Sequence, residues 1–409
     1  MPAPCWNLLI YAIARDEEEV DRAERAINDM RAALSANACN IGVQLHTRSG
    51  TTRTWISGGR TRTEPLPPQD AGKPSTLRSF LDVANHNFSK KSSSAPVSNP
   101  TALVLWAHST GLSDEAPRAQ KAAAPPGLDQ MFASPAGAQD TGVDVHEVAA
   151  HAPEHPTAHH PRHYGCCWGP DSRTGDVLTV TELKKAITAS IRHRVDLLGL
   201  NACGMAFLEV VYELRHIADV QVASQVEAKP WPYGAIVEAL VKAPQMDAVD
   251  LAHAIVDAVR AEIARGRPDA ISAFQCGQPI EDLAAALDKY ARRVSELIDD
   301  AWPEVSKAVM KDAWRVDDVY MTDLASLLHV LGRHDVKAQA SANAVHRHLH
   351  AVRLAAAAND GHGKLCGLSI FCPKTTYRDI ADLYEGLEFR NRAWRDFVIK
   401  FQRKLPARP

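Results

Sequence analysis

The feature that most constrains this chain is the alternation of short apolar runs with amphipathic segments in its first half. The run from Leu8 to Ile13 is apolar throughout, as is usual for a strand buried on both faces of a parallel sheet. Residues 16–36 follow with acidic residues first and apolar residues at helical spacing, which predicts a helix. Such alternation predicts a parallel sheet covered by helices. Similar strand or helix patterns recur at 41–47, 75–84, 102–106, 179–193, 195–200, 205–215 and 219–223.

The second half has a different pattern. Helical spacing predominates there, with one apolar run at 365–371 that predicts a strand. We therefore predict an α/β catalytic domain over 1–245 and a mostly helical C-terminal region over 246–409 that packs on it. Within the first domain, residues 112–165 are rich in Ala, Pro, Gly and His and have little periodicity, which predicts a long mobile insertion loop. The predicted C-terminal helices cover 247–265, 280–300, 319–333, 337–358 and 391–403.

The net charge and the cysteine content limit which binding partners and which cellular location are expected. The formal charge is −3, from 46 basic and 49 acidic residues, so no general attraction to nucleic acid or to a membrane surface is expected. No apolar run approaches the roughly 20 residues that cross a bilayer. The 8 cysteines are widely spread and the first residues do not resemble a signal peptide, so we expect a cytoplasmic protein without disulfides.

Two predicted strands end at residues that could perform catalysis. His108 follows the strand at 102–106, and Cys203 follows the strand at 195–200. The carboxyl ends of parallel strands meet at one edge of the sheet, where α/β proteins hold their active sites. A cysteine peptidase needs a thiolate beside an imidazole that accepts and returns its proton. Because Cys203 precedes a predicted helix, we also expect the helix N-terminus to lower the pKa of its thiol.

Several segments together resemble the clostripain-like cysteine peptidases, which belong to the caspase-fold group. The most specific runs from Asn201 to Leu214 around Cys203, and the strand leading to His108 also matches. The resemblance covers nearly the whole chain outside 112–165 and parts of 280–340. The further matching segments are 179–186, 218–224, 231–233, 367–384 and 394–397.

The resemblance implies a fold, an activity and a set of roles. The fold is a caspase-like, mostly parallel sheet with helices on both faces, and the activity is that of an endopeptidase acting on proteins or peptides. Cys203 is the implied nucleophile and His108 the implied general base, while the backbone N–H groups of Ser109 and Cys203 form the oxyanion hole. No cofactor is expected, and no calcium-loop spacing indicates Ca²⁺.

The chain departs from the family around the substrate pocket. The resemblance implies that Asn201, Ser224 and Glu227 line this pocket. The family has an aspartate where this chain has Asn201, and its second pocket acid corresponds here to Glu227, close to Lys229. A buried guanidinium needs a paired charge, so the loss of one carboxylate weakens the family preference for Arg or Lys at P1. The family also has glycine where this chain has Ser109.

Two other interpretations remain open. Residues 107–111 resemble the nucleophile elbow of a serine α/β-hydrolase, with Ser109 as nucleophile, but the following residues are a poor helix start. The chain could alternatively be a non-catalytic scaffold of the same fold. A third feature is a histidine-rich tract before Cys166 and Cys167; its spacing fits no closed zinc site, so we interpret it as metal-free. The histidines of this tract are His146, His151, His155, His159, His160 and His163.

The insertion at 112–165 also suggests how activity could be controlled. It separates the two candidate catalytic residues, and exposed, weakly structured segments are preferred sites of proteolysis. We predict a zymogen that processes itself within this segment. If the preference for basic P1 residues is kept, the cut falls at Arg118 or Lys121, which have Ala and Pro as neighbours.

Overall fold

The structure is a computed structural model. It describes residues 6–34, 38–88, 99–112, 166–168, 171, 173–190, 194–267, 269–316, 320–359, 365–374, 383–384 and 386–405.

A nine-stranded sheet forms the centre of the protein. Its strands are β1 (Trp6–Ile13), β2 (Cys39–His46), β3 (Thr51–Ser57), β4 (Arg60–Leu66), β5 (Thr101–Trp106), β9 (Val195–Asn201), β10 (Ala218–Ala223), β11 (Ala270–Gln275) and β13 (Arg353–Ala358). Their order across the sheet is β13-β11-β10-β9-β5-β1-β2-β3-β4. Two small sheets lie beside it and contain β6 (Ser109–Leu112), β7 (Cys166–Trp168) and β8 (Leu178–Thr179), and β12 (Met321–Asp323) with β14 (Ser369–Phe371).

The middle of the large sheet is parallel, as predicted from the apolar runs. Strands β2, β1, β5, β9 and β10 are consecutive parallel neighbours. Antiparallel strands extend the sheet at both edges, with β3 and β4 on one side and β11 and β13 on the other. The predicted caspase-like, mostly parallel α/β fold is therefore confirmed.

Helices cover both faces of the sheet and enclose two hydrophobic cores. The α-helices are α1 (Glu17–Ala33), α2 (Pro74–Phe88), α3 (Val180–Ser190), α4 (Leu208–Glu213), α5 (Tyr233–Lys242), α6 (Ala248–Ala264), α7 (Gln278–Asp300), α8 (Trp302–Lys307), α9 (Leu324–Gly332), α10 (Val336–Val352) and α11 (Ala393–Lys404). One core includes residues of α1, α5 and α6, and the larger core includes residues of α2, α3, α4, α7, α9, α10 and α11. A π-helix at Ala308–Asp312 and a 3₁₀-helix at Glu388–Asn391 complete the set.

Three strands of the large sheet differ from the sequence-based expectation. The predicted helix at 337–358 ends at Val352, and its alanine-rich last part forms β13 instead. Alanine favours a helix locally, but pairing with β11 at the sheet edge overrides that preference. Strand β11 is a short buried segment between two helices, and the sequence analysis did not predict it. Strand β4 was also not predicted, because it is a polar edge strand that lacks the apolar alternation typical of strands.

The region beyond residue 245 contributes both helices and sheet. Strands β11 and β13 belong to it and join the large sheet, while its helices α7, α10 and α11 pack together. The division of the chain at residue 245 stays a prediction. No helix in the described part of the chain is both long and apolar enough to cross a membrane.

Several predicted features lie outside the described residues. These are almost all of the predicted insertion loop at 112–165, the proposed cleavage points Arg118 and Lys121, and the histidines at 146, 151, 155, 159, 160 and 163.

Candidate active site

The sheet brings the loops of His108 and Cys203 together. Strands β5 and β9 are parallel neighbours in which Trp106 lies opposite Asn201, so each candidate residue lies two positions beyond the same register pair. The Ala107 N–H donates to the carbonyl of Asn201 at 3.3 Å and extends this contact past the strand ends. The two catalytic candidates therefore follow adjacent strand ends at one edge of the sheet.

A second contact joins the residues that follow. The Ser109 hydroxyl lies 2.7 Å from the Met205 sulfur, to which it donates a hydrogen bond. This contact links the residue after His108 to the second residue after Cys203. The loops are thus neighbours on both sides of the candidate dyad.

A tight turn follows the cysteine. Gly204 has a φ of +64°, a left-handed conformation that side chains disfavour, and its N–H donates to the Val226 carbonyl at 2.9 Å. A Cβ at this position would lie 3.0 Å from the methyl carbon of Met321. The backbone conformation therefore favours glycine directly after Cys203.

Main-chain bonds hold the next residues on two sides. The Ala206 N–H donates to the Ser224 carbonyl at 2.7 Å, and the Ala206 carbonyl accepts from the Ser369 N–H at 2.8 Å. The cysteine loop is therefore fixed between the segment after β10 and strand β14. This second support comes from a part of the chain more than 160 residues away in sequence.

Cys203 differs from the other cysteines in its accessibility. Of the five cysteines that the structure describes as free, Cys203 alone is partly exposed, and Cys39, Cys276, Cys366 and Cys372 are buried. Among these five, Cys203 is therefore the thiol that a substrate could reach.

The expectation of a lowered pKa for Cys203 is wrong. Burial raises the pKa of the Cys203 thiol, and the negative charges of Glu227 and Asp269 raise it further. The N–H of Ala228 and the positive charge of Lys229 act in the opposite direction but do not reverse the shift. The predicted cause also fails, because the next helix, α4, begins only at Leu208.

Asn201, one of the predicted pocket residues, has a buried side chain that forms three hydrogen bonds. Its amide nitrogen donates to the Lys229 carbonyl at 2.9 Å. Its amide oxygen accepts from the Trp231 N–H at 3.1 Å and from the Tyr233 hydroxyl at 3.0 Å. Asn201 thus holds the segment 229–233 against the end of β9. An aspartate could accept the same two bonds but could not donate to the carbonyl.

The other two predicted pocket residues differ in accessibility. The Ser224 hydroxyl is buried and donates to the Ala270 carbonyl. Glu227 is partly exposed and forms an ion pair with Lys229 at 2.5 Å. Of Asn201, Ser224 and Glu227, only Glu227 has a side chain that reaches solvent, and a lysine already neutralises it. Their role in substrate binding stays a prediction.

The structure adds one residue that the sequence analysis missed. The His108 Nε2 atom lies 2.5 Å from the Glu19 carboxylate, which belongs to the first turn of α1. Burial alone would raise the pKa of Glu19, but the hydrogen bond and charge of His108 and the contacts with Arg15 lower it to about 2. A signal was present in the sequence, since three glutamates follow β1 at what was predicted to be the same edge of the sheet.

The serine-hydrolase interpretation does not fit the structure. A nucleophile elbow requires a helix directly after the serine, and here Ser109 begins the short strand β6. Ser109 and its surroundings therefore lack the geometry that this alternative needs.

A metal site is not evident in the described part of the chain. Within those residues, no three His, Cys, Asp or Glu side chains are placed to hold a metal ion. The expectation that no cofactor is required stays a prediction.

Solved structures resemble this fold over almost its full length. One is an inactive zymogen C11 protease from Parabacteroides distasonis, with a TM-score of 0.60, 17% sequence identity, and coverage of 97% of this chain and 98% of that chain. Another is a secreted C11 cysteine protease from Bacteroides thetaiotaomicron in complex with an irreversible peptide inhibitor. Its TM-score is 0.63 at 16% identity, covering 96% of this chain and 99% of that chain.

The second of these structures contradicts the expected location. We expected a cytoplasmic protein from the first residues of the sequence, whereas this structural neighbour is described as secreted. The first residues of a chain do not by themselves decide its location, and the cytoplasmic expectation is withdrawn.

Comparison of the sequence with family profiles identifies the family to which the chain belongs. A search of curated proteins found no match. In contrast, the profile of the peptidase C11 clostripain family matches residues 155–397, more than half of the chain and a region that includes Cys203. The chain therefore belongs to the clostripain family of cysteine proteases.

Proposed function

We propose that this protein is a cysteine endopeptidase in which Cys203 is the nucleophile and His108 the general base. The observation that supports this most strongly is the register of β5 and β9. Trp106 of β5 lies opposite Asn201 of β9, and His108 and Cys203 each follow that pair by two residues in the sequence. The partial exposure of Cys203 supports it further. The alternatives of a serine hydrolase and of a non-catalytic scaffold have no comparable support.

The raised pKa of Cys203 determines what the base must do. The thiol starts in its neutral form, so His108 takes its proton as the sulfur attacks the substrate carbonyl carbon. The carbonyl π bond breaks, its electron pair moves to the oxygen, and the N–H groups of Ser109 and Cys203 stabilise that oxyanion. The oxyanion electron pair then re-forms the carbonyl as the C–N bond breaks, and His108 donates the proton to the leaving amine. Water hydrolyses the resulting thioester by the same proton route.

The second part of the proposal is a preference for Arg or Lys at P1, with Glu227 as the recognising carboxylate. Glu227 is on the segment next to Cys203, and the carboxylate is close enough to influence the thiol. Lys229 competes for the same carboxylate at 2.5 Å. A basic P1 side chain would therefore have to displace Lys229, which makes the preference weaker than a free pocket acid would give.

The third part is that the protein is made as a zymogen and processes itself between His108 and Cys203. The basic residues Arg118 and Lys121 in this segment support it, together with the likeness to a protease crystallised as an inactive zymogen. Incubating wild type and Cys203→Ala side by side and measuring fragment masses tests this part. Cleavage at Arg118 or Lys121 in wild type alone is expected. A fully active wild-type chain that stays intact would contradict it.

Three substitutions test the catalytic assignment. Cys203→Ala and His108→Ala are each expected to lower kcat/KM on a peptide-library substrate by at least about 100-fold, the minimum for loss of a positioned base or nucleophile. Ser109→Ala keeps its backbone N–H and is expected to retain most of the activity. Loss of activity in Ser109→Ala alone would instead favour a serine hydrolase.

A further inference from the structure

Glu19 contacts His108 across a long sequence separation. The carboxylate oxygen Oε1 lies 2.5 Å from Nε2 of the imidazole, and the two residues are 89 positions apart in the chain. Strands β1 and β5 are parallel neighbours, and Tyr11 and Ala12 near the end of β1 pair with Leu105 and Trp106. The start of α1 and the loop of His108 therefore emerge side by side from the sheet.

The carboxylate is itself held in place. The Arg15 N–H donates to Glu19 Oε2 at 2.7 Å, and the Arg15 guanidinium contacts Oε1 at 3.3 Å. The Glu19 N–H donates to the side chain of Asp16, the N-cap of α1, at 2.9 Å. The Glu19 side chain is 14% exposed, so its contacts are largely protected from water. A fixed, ionised carboxylate thus faces one nitrogen of a partly exposed histidine.

We infer that Glu19 is a positioning residue for catalysis, which orients the His108 ring through Nε2 and leaves Nδ1 to exchange a proton with Cys203. This rests on the proposed role of His108 as general base. The two nitrogens of a neutral imidazole differ, and the hydrogen bond made by one decides which of them is free to accept a proton. Donation from Nε2 to Glu19 thus makes Nδ1 the basic nitrogen. The carboxylate also stabilises the positive charge that the ring gains when it takes the thiol proton.

The neighbouring glutamate provides a matched control. Glu18 is on the same first turn of α1, its side chain is 78% exposed, and it pairs with Arg22 rather than with His108. Glu18→Gln removes the same charge at nearly the same distance along the helix, without touching the histidine. An effect seen in Glu19→Gln but not in Glu18→Gln therefore belongs to the contact with His108.

Steady-state kinetics of the full chain give the first test, with a fluorogenic peptide that wild type cleaves. Glu19→Gln is expected to lower kcat by about 10- to 100-fold, part of the 10²–10⁴ that a positioned base contributes, and to leave KM within about twofold. Glu19→Asp keeps the charge on a shorter side chain and is expected to retain an intermediate kcat. Glu18→Gln should behave as wild type.

The proton on the ring gives a second test, and its decisive measurement is made on wild type rather than on a Glu19 variant. Nitrogen-15 NMR of histidine-labelled wild type, with His108→Gln to identify the signal, should show an Nε2-bound proton shifted strongly downfield. Glu19→Gln should move that signal upfield. A wild-type His108 without such a proton would overturn the inference.

The outcomes separate this inference from the proposed function. If His108→Ala retains the wild-type kcat, the proposed dyad fails and the inference fails with it. If His108→Ala loses activity while Glu19→Gln keeps the wild-type kcat, the dyad stands and the positioning role of Glu19 is overturned.

Discussion

The loops of Cys203 and His108 lie side by side at one edge of the sheet but are held by different kinds of contact. The Cys203 loop is fixed by buried main-chain bonds to the segment after β10 and to strand β14. The His108 ring is partly exposed, and a carboxylate from the start of α1 contacts its Nε2 atom. The Cys203 loop therefore depends on contacts in the protein interior, whereas the orientation of the His108 ring depends on a charged partner.

The largest effect is expected where the C-terminal region is joined to the Cys203 side. Buried Asp323 accepts from the Gln225 side chain at 3.0 Å and from the Cys366 N–H at 2.7 Å, and it caps α9 through the Ser326 N–H at 2.8 Å. Asp323→Ala leaves two buried donors unpaired and removes a cap. We expect a loss of about 3 to 5 kcal/mol in the free energy of unfolding.

Denaturant unfolding measures this loss, and Asp247→Ala is the control. Asp247 caps α6 at the surface and makes no comparable buried contacts, so its removal should cost about 1 kcal/mol. Equal losses in the two variants would mean that Asp323 is only a helix cap. The claim that buried contacts hold the Cys203 side in place would then be contradicted.

Carboxylates on the two sides are expected to respond to pH in opposite directions. Burial raises the pKa of Glu209, in α4, to about 7, while Glu19 has its pKa lowered to about 2. The contribution of Glu209 to stability therefore falls as pH rises from about 4.5 to 7. The contribution of Glu19 is complete above about pH 4.5 and is lost as pH falls towards 2.

Unfolding of Glu209→Gln and Glu19→Gln across this pH range tests the contrast. Relative to wild type, Glu209→Gln should gain stability as pH rises, by up to about 3 kcal/mol above pH 7. Glu19→Gln should be less stable than wild type at neutral pH, and this difference should vanish near pH 2. A pH dependence of the same sign in both variants would contradict the proposed electrostatic difference.

Asn201 allows a sharper test of the Cys203 side. Asn201→Asp replaces the amide that donates to the Lys229 carbonyl with an oxygen that cannot donate. We expect a loss of about 1 to 3 kcal/mol and no gain in cleavage after Arg, because the new carboxylate would be buried. Thermal unfolding and a P1 library measure both quantities. A stable variant with a strong new preference for Arg would show that this position can line the pocket.

The smallest effect is expected at the ion pair beside Cys203. Lys229→Met frees the Glu227 carboxylate, so cleavage after Arg or Lys should rise about two- to fivefold relative to a neutral P1 residue. The effect is small because a partly exposed ion pair contributes little free energy. Glu227→Gln is the matched opposite change and should remove the preference. If both variants leave the P1 profile unchanged, Glu227 is not the recognising residue.

The central sheet and the two candidate residues were predictable because their signals are local. Continuous apolar runs identify buried parallel strands, and His108 and Cys203 directly follow two of them. The alanine-rich strand β13 was not predictable in this way, because its conformation depends on pairing with a strand about 80 residues earlier in the chain.

The site itself was predictable only in part. The contact of Glu19 with His108 depends on which strands are neighbours in the sheet, and three adjacent glutamates do not show which one faces the histidine. The raised pKa of Cys203 has the same origin, since the cysteine is enclosed by segments from distant parts of the sequence. A lowered pKa was expected because the sequence pattern places a helix close after Cys203, but α4 begins only at Leu208.

The assignment of Cys203 and His108 is tested most directly by mapping the covalent labelling of the intact protein by a peptide that carries a thiol-reactive electrophile. Mass spectrometry of the digested product should locate the label on Cys203 in wild type. Labelling of His108→Ala under the same conditions should be at least about 100-fold slower, because the thiol then lacks its base. A label on any other cysteine, or an equal rate in His108→Ala, would contradict the assignment of Cys203 and His108 as the catalytic pair.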